Sequence, residues 1–424
     1  MRILFLHTNF PGQYRDLAPA LAADPANEVV FGTGQPKHEL PGVRKAPFSP
    51  HRAADAEVHP YLAPLDRAVL NGQAAFRLCR RLADEGFVPD VVCAHTGFGA
   101  GMYVRDAFPA AKLVCYFDWY YRTRGADISF LGGPDEFDEQ DRRARIHTRN
   151  APALMDLAEA DWGMVTTWWQ LRQHPEVFWP KISLIHDGID TDFFAPAPGT
   201  RMRLANLDLS HEDEVITYAT RGMEQYRGFP EFMRALELLQ KRRPRLHAVI
   251  AGEDIVAYGR QAPGGSWKRH LLERLDLDLS RVHFVGAVTP EDMRTLLRAS
   301  RAHVYLTVPF IPSWSLFEAM STGALVVGSR TAPVEELIDD GVHGLLVDFF
   351  DHEALAERIV EAIEAPDGGA GLRAAARARI VDHFDLRRIC LPLQLELIHA
   401  VVEGRTPPRQ ASAAWAAALE LASA

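Results

Sequence analysis

Sulfur ligands and disulfide partners are what this sequence has least of. Its 424 residues hold four cysteines, Cys79, Cys93, Cys115 and Cys390, far apart and without a C-x-x-C pair. That spacing offers no disulfide framework and no zinc site, and it reads as buried, reduced thiols of a cytoplasmic protein. The 17 histidines are scattered without H-x-x-x-H spacing, so no structural metal is expected. Long apolar runs are missing too, since none approaches the ~20 residues that a membrane-crossing helix needs. The opening MRILFLHTNF turns polar too soon for a signal peptide and reads as a first buried strand. Nor is there a basic excess. A formal net charge of −10 argues against a nucleic-acid partner.

What is present is ordinary for a globular protein, with 47% hydrophobic and 24% charged residues. The length exceeds what one core can organise, so two domains are expected. Short apolar runs alternate with helical patterns, the signature of parallel α/β sheets. In the first half the strands fall at residues 3–7, 28–31, 91–95, 113–117, 162–166 and 182–186, with helices at 16–23 and 65–85. A turn-rich, proline-ended stretch at 187–196 reads as a linker. A second series follows, with strands at 216–220, 248–252, 282–285, 302–307, 324–328 and 344–347. Helices fall at 230–241, 267–275 and 315–321, and Thr289 is expected to cap another that starts with Pro290. The expected plan is 1–187, 188–385 and a 386–424 crossover helix and tail, with 405–424 docked loosely. Two Rossmann-like domains would face each other across a central cleft.

In open parallel sheets ligands sit beyond the carboxyl ends of strands. The loop at 221–228 (RGMEQYRG) leaves such a strand with two arginines, whose guanidinium forks match phosphate oxygens. Surface arginines paired with acids would explain it equally well. In the segment 309–323 (PFIPSWSLFEAMSTG) a helix begins at Ser313 or Ser315, and its N-terminal N–H groups suit a diphosphate. Glu318, one turn further in, could accept hydrogen bonds from two ribose hydroxyls or merely favour the helix N-terminus. His95 ends an apolar strand. Asp118, Tyr120 and Tyr121 follow another, and open a polar, aromatic stretch that suits sugar capture or an amphipathic flap. Arg142, Arg143, Arg145 and Arg149 would suit anionic lipid headgroups at the inner face of a membrane, or form a solvated helix face. Asp190-Thr191-Asp192 imitates a metal-binding D-x-D but lies in the linker.

These segments together resemble glycosyltransferase family four. Residues 318–328 (EAMSTGALVVG), 333–338 (PVEELI) and 341–347 (GVHGLLV) resemble its donor-site signature. Arg221 with Arg227-Gly228 resembles its R-x(5)-K-G loop, residues 284–286 (FVG) its F-x-G nucleobase strand, and 185–191 (IHDGIDT) its I-x-N-G-V-D linker. Gly12 and His95-Thr96-Gly97 suit its acceptor domain. The resemblance covers nearly the whole chain in the right order. It implies a GT-B fold with the C-terminal helices returning toward the N-terminal domain, and retaining, metal-independent transfer from a nucleotide sugar. That sugar would be UDP-linked and a co-substrate, so no cofactor is implied. The acceptor would be a glycan, a lipid-linked molecule or a small molecule, and the product cell-surface glycan. Matched to these motifs, Arg221 and Arg227 would neutralise the diphosphate. Ser313, Trp314 and Ser315 would cradle phosphate or sugar, Glu318 would hold the ribose, and Val285 and Gly286 would contact the base. Gly12 would adjoin the donor, and His95 would reach the donor sugar. One departure stands out: the family's second Glu, eight residues before the ribose-binding Glu, is here Phe310. That leaves room for a second reading, a GT-fold binding or scaffold protein that has lost turnover; a third, a GT-B relative such as an epimerase, would rely on carboxylate pairs that the sequence does not place.

Overall fold

The computed structural model describes residues 1–35, 38–55, 57–132 and 139–409. They form two compact units. The first comprises Met1–Thr123, the described residues from 139 to 188, and those from 386 to 409. The second comprises Arg124–Gly132 and Ile189–Asp385.

The first unit is built on a seven-stranded sheet. Its strands are β1 (Arg2–His7), β2 (Glu28–Thr33), β3 (Val43–Pro47), β4 (Val91–His95), β5 (Lys112–Tyr116), β6 (Trp162–Val165) and β7 (Ile182–Leu184), in the order β3-β2-β1-β4-β5-β6-β7. Every pairing is parallel, with Ile3 opposite Val29 on one side and Val91 on the other. Parallel strands covered on both faces need apolar side chains on both, and β1 shows why RILFLH suits that role. Leu4 and Leu6 enter one core cluster with Val92, Ala94 and Leu78, while Ile3 and Phe5 enter the other with Val91, Cys93 and Leu21. Leu397, Ile398 and Val401, from the Leu391–Glu403 helix, complete the second cluster. Gln394 of that helix donates to the carbonyls of His186 and Asp187 at 2.9 and 3.3 Å.

The edge strand β3 carries no sequence signal. Its VRKAP is half charged because an edge is wet, and its proline sits at the last position, as edge strands allow. The opposite edge, β7, is covered by the chain's own later residues: the Leu184 amide donates to the Arg409 carbonyl at 2.7 Å. Residues 405–409 are therefore docked, and the rest of the expected tail, 410–424, lies outside the described residues. All four cysteines are buried and free, and burial pushes the Cys79 thiol up to about 12.

The second unit opens with a short antiparallel hairpin, β8 (Arg203–Leu204) and β9 (Leu207–Asp208), too brief to show alternation in sequence. Its main sheet holds β10 (Val215–Gly222), β11 (His247–Glu253), β12 (Val282–Gly286), β13 (Ala302–Tyr305), β14 (Val326–Ser329) and β15 (Leu345–Val347), in the order β12-β11-β10-β13-β14-β15. These pairings are also parallel. Thr289 caps the Pro290–Ala299 helix as expected, its side chain accepting from the Asp292 amide at 3.1 Å. The D-x-D look-alike turns out to be structural. The Asp190 carboxylate accepts from the amides of Asp192 and Phe193, and the Thr191 hydroxyl donates to Asp385. Among the described residues no helix is long and apolar enough to cross a membrane.

Candidate active site

Both sheets reverse direction once. In the first, the chain runs outward from β1 through β2 and β3, then restarts on the other side of β1 with β4. In the second it runs from β10 through β11 and β12, then restarts beside β10 with β13. The loops at such a reversal part from each other and leave a crevice at the strands' carboxyl ends. Arg221 and Gly222 end β10, Arg227 follows it, and Phe310 to Glu318 follow β13. Gly12 follows β1, and His95 ends β4. Topology alone thus gathers the expected residues at one point in each unit.

In the second unit the two arginines differ. Arg221 is exposed, and no ion pair holds it among the described residues. Arg227 is only 8% exposed. Its Nη1 donates to the Thr307 hydroxyl at 2.8 Å and the Ile311 carbonyl at 3.0 Å, with the Tyr305 hydroxyl at 3.5 Å. The guanidinium lies over the rings of Tyr258 and Phe310, at 5.5 and 5.8 Å. All of these partners are neutral. Nε and Nη2 have no protein hydrogen bond among the described residues, and no carboxylate lies within ion-pair distance. A nearly buried cation without a counter-ion is costly unless something anionic completes it.

The surroundings hold Arg227 in place. Gly228 has φ +66°, and a Cβ there would come within 2.5 Å of Leu306, so only glycine lets the loop lie against β13. Glu224, fully buried, accepts from the amides of Tyr258 and Gly259 at 3.0 and 2.6 Å, which fixes the Tyr258 ring beside the guanidinium. Sequence reading gave Glu224 and Tyr258 no role, because their meeting depends on a contact 34 residues apart. Phe310, where a carboxylate was expected, packs against Tyr226 and Tyr258 with ring centroids 5.5 and 5.2 Å away.

The helix after β13 is Trp314–Ser321, with Ser313 at its N-cap position. The Ser313 amide, expected to face phosphate, instead donates to the Tyr305 hydroxyl at 2.8 Å, since Tyr305 ends the adjacent strand and reaches it first. The hydroxyls of Ser313 and Ser315 bond each other at 2.6 Å. Trp314, Ser315 and Glu318 are half-buried in the first turns. Val285 and Gly286 end the edge strand β12, where Gly286 has φ +72° and open space around it. A groove of about 1180 Å³ lies elsewhere in this unit. It opens at the start of β15, away from the arginine loop, and its wall carries Arg242 and Arg243 together with Glu357, Glu361 and Glu364.

In the first unit the crevice holds no cation like Arg227 among the residues expected there. The rings of His7 and His95 stack at 4.2 Å, and His95 also lies against Tyr116 and Phe98 at 5.4 and 5.6 Å. His95 is 2% exposed, more deeply set than an edge residue. Its Nδ1 lies 3.0 Å from the Thr96 carbonyl oxygen, so the neutral ring carries its proton there and presents a bare Nε2. That Nε2 has no hydrogen-bond partner among the described residues, with Asp118 Oδ2 3.9 Å away. Burial, helped by neighbouring His7, holds His95 well below the usual histidine range. Burial likewise lowers His7 to about 4. His7, absent from the sequence candidates although it ends β1, accepts from the Asn9 amide and bonds the Gln13 side chain at 2.8 Å, shaping the loop around Gly12. A Cβ on Gly12 would fall 2.6 Å from the His7 ring.

The aromatic segment after β5 is used largely by the fold itself. The backbone of Tyr121 is clamped in both directions by the Asn150 amide, and Arg149 lies 3.5 Å over the Tyr121 ring. Tyr120 packs on the core beside His174. Residues 133–138 of this segment lie outside the described residues.

Two Rossmann-like units in one chain, each with its crevice at the strand ends, define the GT-B class of fold. Solved structures agree. Sucrose-phosphate synthase from Thermosynechococcus elongatus superposes with a TM-score of 0.68 at 18% identity, covering 95% of this chain and 99% of that one. Anabaena HepE in complex with UDP-glucose gives 0.64 at 19%, covering 91% and 96%. Residues 25–194 match the family profile "Glycosyl transferase family 4 group" and residues 213–365 match "Glycosyl transferases group 1". The chain belongs to this glycosyltransferase family. Among curated proteins, a D-inositol 3-phosphate glycosyltransferase of Streptomyces scabiei is 27% identical over 212 residues, 49% of this chain and 47% of that protein. A sucrose synthase of Acidithiobacillus caldus is 37% identical over 78 residues, 18% and 10%. The chain spans about half the length of the inositol-phosphate relatives it matches.

Proposed function

We propose that the chain transfers a hexose-type sugar from a UDP-linked donor to a hydroxyl of a glycan, lipid-linked or small-molecule acceptor, with retention and without a metal. The observation that carries this reading is Arg227, a nearly buried guanidinium without an acidic partner and with two nitrogens open at the sheet's reversal point. As the glycosidic bond breaks, charge accumulates on the departing diphosphate. A cation already fixed at that point stabilises the transition state without reorganising. Arg221, exposed, would close over the diphosphate from the solvent side. The Ser313 and Ser315 hydroxyls would meet the phosphate or sugar, Glu318 the ribose, and Val285 and Gly286 the base. His95, neutral and with a bare Nε2, would accept a hydrogen bond from a sugar hydroxyl. Gly12 leaves the room for that approach. Asp118, Tyr120 and Tyr121 remain acceptor-side candidates, of which Asp118 is nearest His95. The arginines would supply the charge that a metal supplies elsewhere. The UDP-glucose bound by HepE and the family membership support a nucleotide-sugar donor.

Phe310 favours a second reading, a binding protein without turnover, because Phe cannot accept hydrogen bonds from sugar hydroxyls. A panel of UDP- and GDP-sugars, followed for nucleotide release in excess EDTA, separates the two. Release with one donor supports transfer. Tight binding without release, with or without Mn²⁺, supports the second reading, and release only after Mn²⁺ is added removes the metal-independent role of the arginines.

A further inference from the structure

Nine residues from the first half of the sequence, Arg124–Gly132, belong by their contacts to the second unit, although Thr123 before them belongs to the first. Two anchors hold them there. Phe130 stacks on Phe350 at 5.1 Å and meets Phe349 edge-on at 5.3 Å. Asp127, 2% exposed, accepts a hydrogen bond from the Tyr226 hydroxyl at 2.8 Å. The first anchor is plain apolar packing. The second is not, since burying a carboxylate costs several kcal/mol that a leucine would not incur.

Tyr226 sits where that cost acquires a purpose. It precedes Arg227 in sequence. Its carbonyl accepts from the Val308 amide at 3.0 Å, and its ring meets those of Phe310 and Tyr258 at 5.5 and 6.4 Å. The same two rings flank the Arg227 guanidinium. Tyr226 thus touches both rings that line the guanidinium, and its phenol donates a hydrogen bond to the Asp127 carboxyl group.

We infer that Asp127 is a positioning residue for the diphosphate end of the donor site, acting through the Tyr226 hydroxyl on the Tyr258–Phe310 pair and so on Arg227. This rests on the reading of Arg227 as the diphosphate cation. Asp127 itself touches no ligand in this scheme. Freeing the phenol lets the ring pair relax and the guanidinium turn, which weakens anion binding in the ground state and the transition state alike.

The test is UDP affinity by calorimetry and donor KM and kcat, for Asp127→Asn, Tyr226→Phe, their combination and Arg227→Ala. Asp127→Asn keeps the shape and one hydrogen bond, so it reports even where Tyr226→Phe fails to fold. Asp127→Asn and Tyr226→Phe should each raise the UDP Kd and donor KM by about tenfold, with kcat changed far less. The double variant should be no worse than the worse single. A Phe130→Leu variant, which loosens only the apolar anchor, should leave UDP affinity within about twofold. Wild-type UDP affinity in Asp127→Asn, with Arg227→Ala weakened, overturns the inference and leaves the donor-site reading standing. Wild-type affinity in Arg227→Ala overturns both. Additive losses in the double variant also overturn it, because two independent effects are not one relay.

Discussion

In the first unit the ends of β1, β4 and β5 and the loop after β1 bring together two stacked imidazoles, a glycine and a tyrosine, all neutral. In the second the segments after β10, β11 and β13 bring together a guanidinium, three aromatic rings and a helix N-terminus. The sheets beneath them reverse in the same way. Backbone topology therefore decides where a crevice opens, and the side chains at its lip decide what it can hold. A neutral imidazole with a bare nitrogen trades hydrogen bonds with hydroxyls. A guanidinium with open nitrogens and no counter-ion calls for an anion.

The contrast breaks most completely at Arg227. Arg227→Ala should lower kcat/KM by roughly 100–1000-fold, as loss of a fixed transition-state donor does. Arg227→Lys should recover little, because a point charge cannot span the Thr307 and Ile311 acceptors and keep a fork open. Arg221→Ala, exposed and unpaired, should cost less than Arg227→Ala. His95→Ala should leave UDP affinity near wild type while transfer falls, measured by calorimetry and nucleotide release. Equal losses of UDP affinity at His95 and Arg227 would erase the distinction between the two crevices.

Stability sharpens the same comparison. Leu397→Ala removes a core side chain of the first unit only and should cost about 2–5 kcal/mol, read by denaturant unfolding. Acid should follow the same division. Burial lowers His7 and His174 to about 4 and His186 to about 3 in the first unit, and His303 to about 4 in the second. A histidine with a depressed folded pKa binds fewer protons folded than unfolded. Its contribution is present above about 6.5 and is lost as pH falls toward 4, on the order of 3 kcal/mol for a fully buried ring. Amides of β1 and β4 should therefore lose exchange protection at higher pH than those of β10 and β13, by hydrogen exchange between pH 7 and 4.5.

The last effect has the opposite sign. Asp156 is fully buried, neither of its oxygens is bonded to a described side chain, and burial raises it to about 8. A carboxyl raised in the fold holds its proton there and loses it on unfolding, so stability falls as pH climbs from about 4 to about 8. Asp156→Asn removes that slope. Its Tm should exceed wild type by a few degrees at pH 8.5, and the gap should close at pH 4.

Much of this was legible beforehand. The strands at the centre of each sheet were, because burial on both faces demands runs such as ILFL and HAVIAG. The edges β7, β12 and β15 were legible too, whereas β3 was not. β3 mixes two charged residues and a proline with its buried Val43 and Ala46, and the hairpin β8–β9 is shorter than any period. Of the site, Arg227, His95 and the helix after β13 could be placed, since strand ends and helix starts are local signals. Glu224, Tyr258, Asp127 and Asp156 could not. Each is an acid or aromatic of unremarkable context whose role begins only when distant segments meet. The bond of the Ser313 amide to Tyr305 was not legible for the same reason, as nothing near it in sequence announces Tyr305.

The Leu391–Glu403 helix has a consequence for how the protein is made. It fills the face of the first sheet with Leu397, Ile398 and Val401, yet it follows the whole of the second unit in the chain. A ribosome adding about 5–20 residues per second leaves the first sheet unfinished for roughly 10–40 s after Gly188 emerges. Over that interval the apolar face of Ile3, Phe5 and Cys93 lies open while Ile189–Asp385 can already fold as a body of its own. The half synthesised first is the half completed last, so a stop codon between Asp385 and Leu391 releases a chain with one finished unit and one partly bare sheet, a substrate for chaperones and proteases.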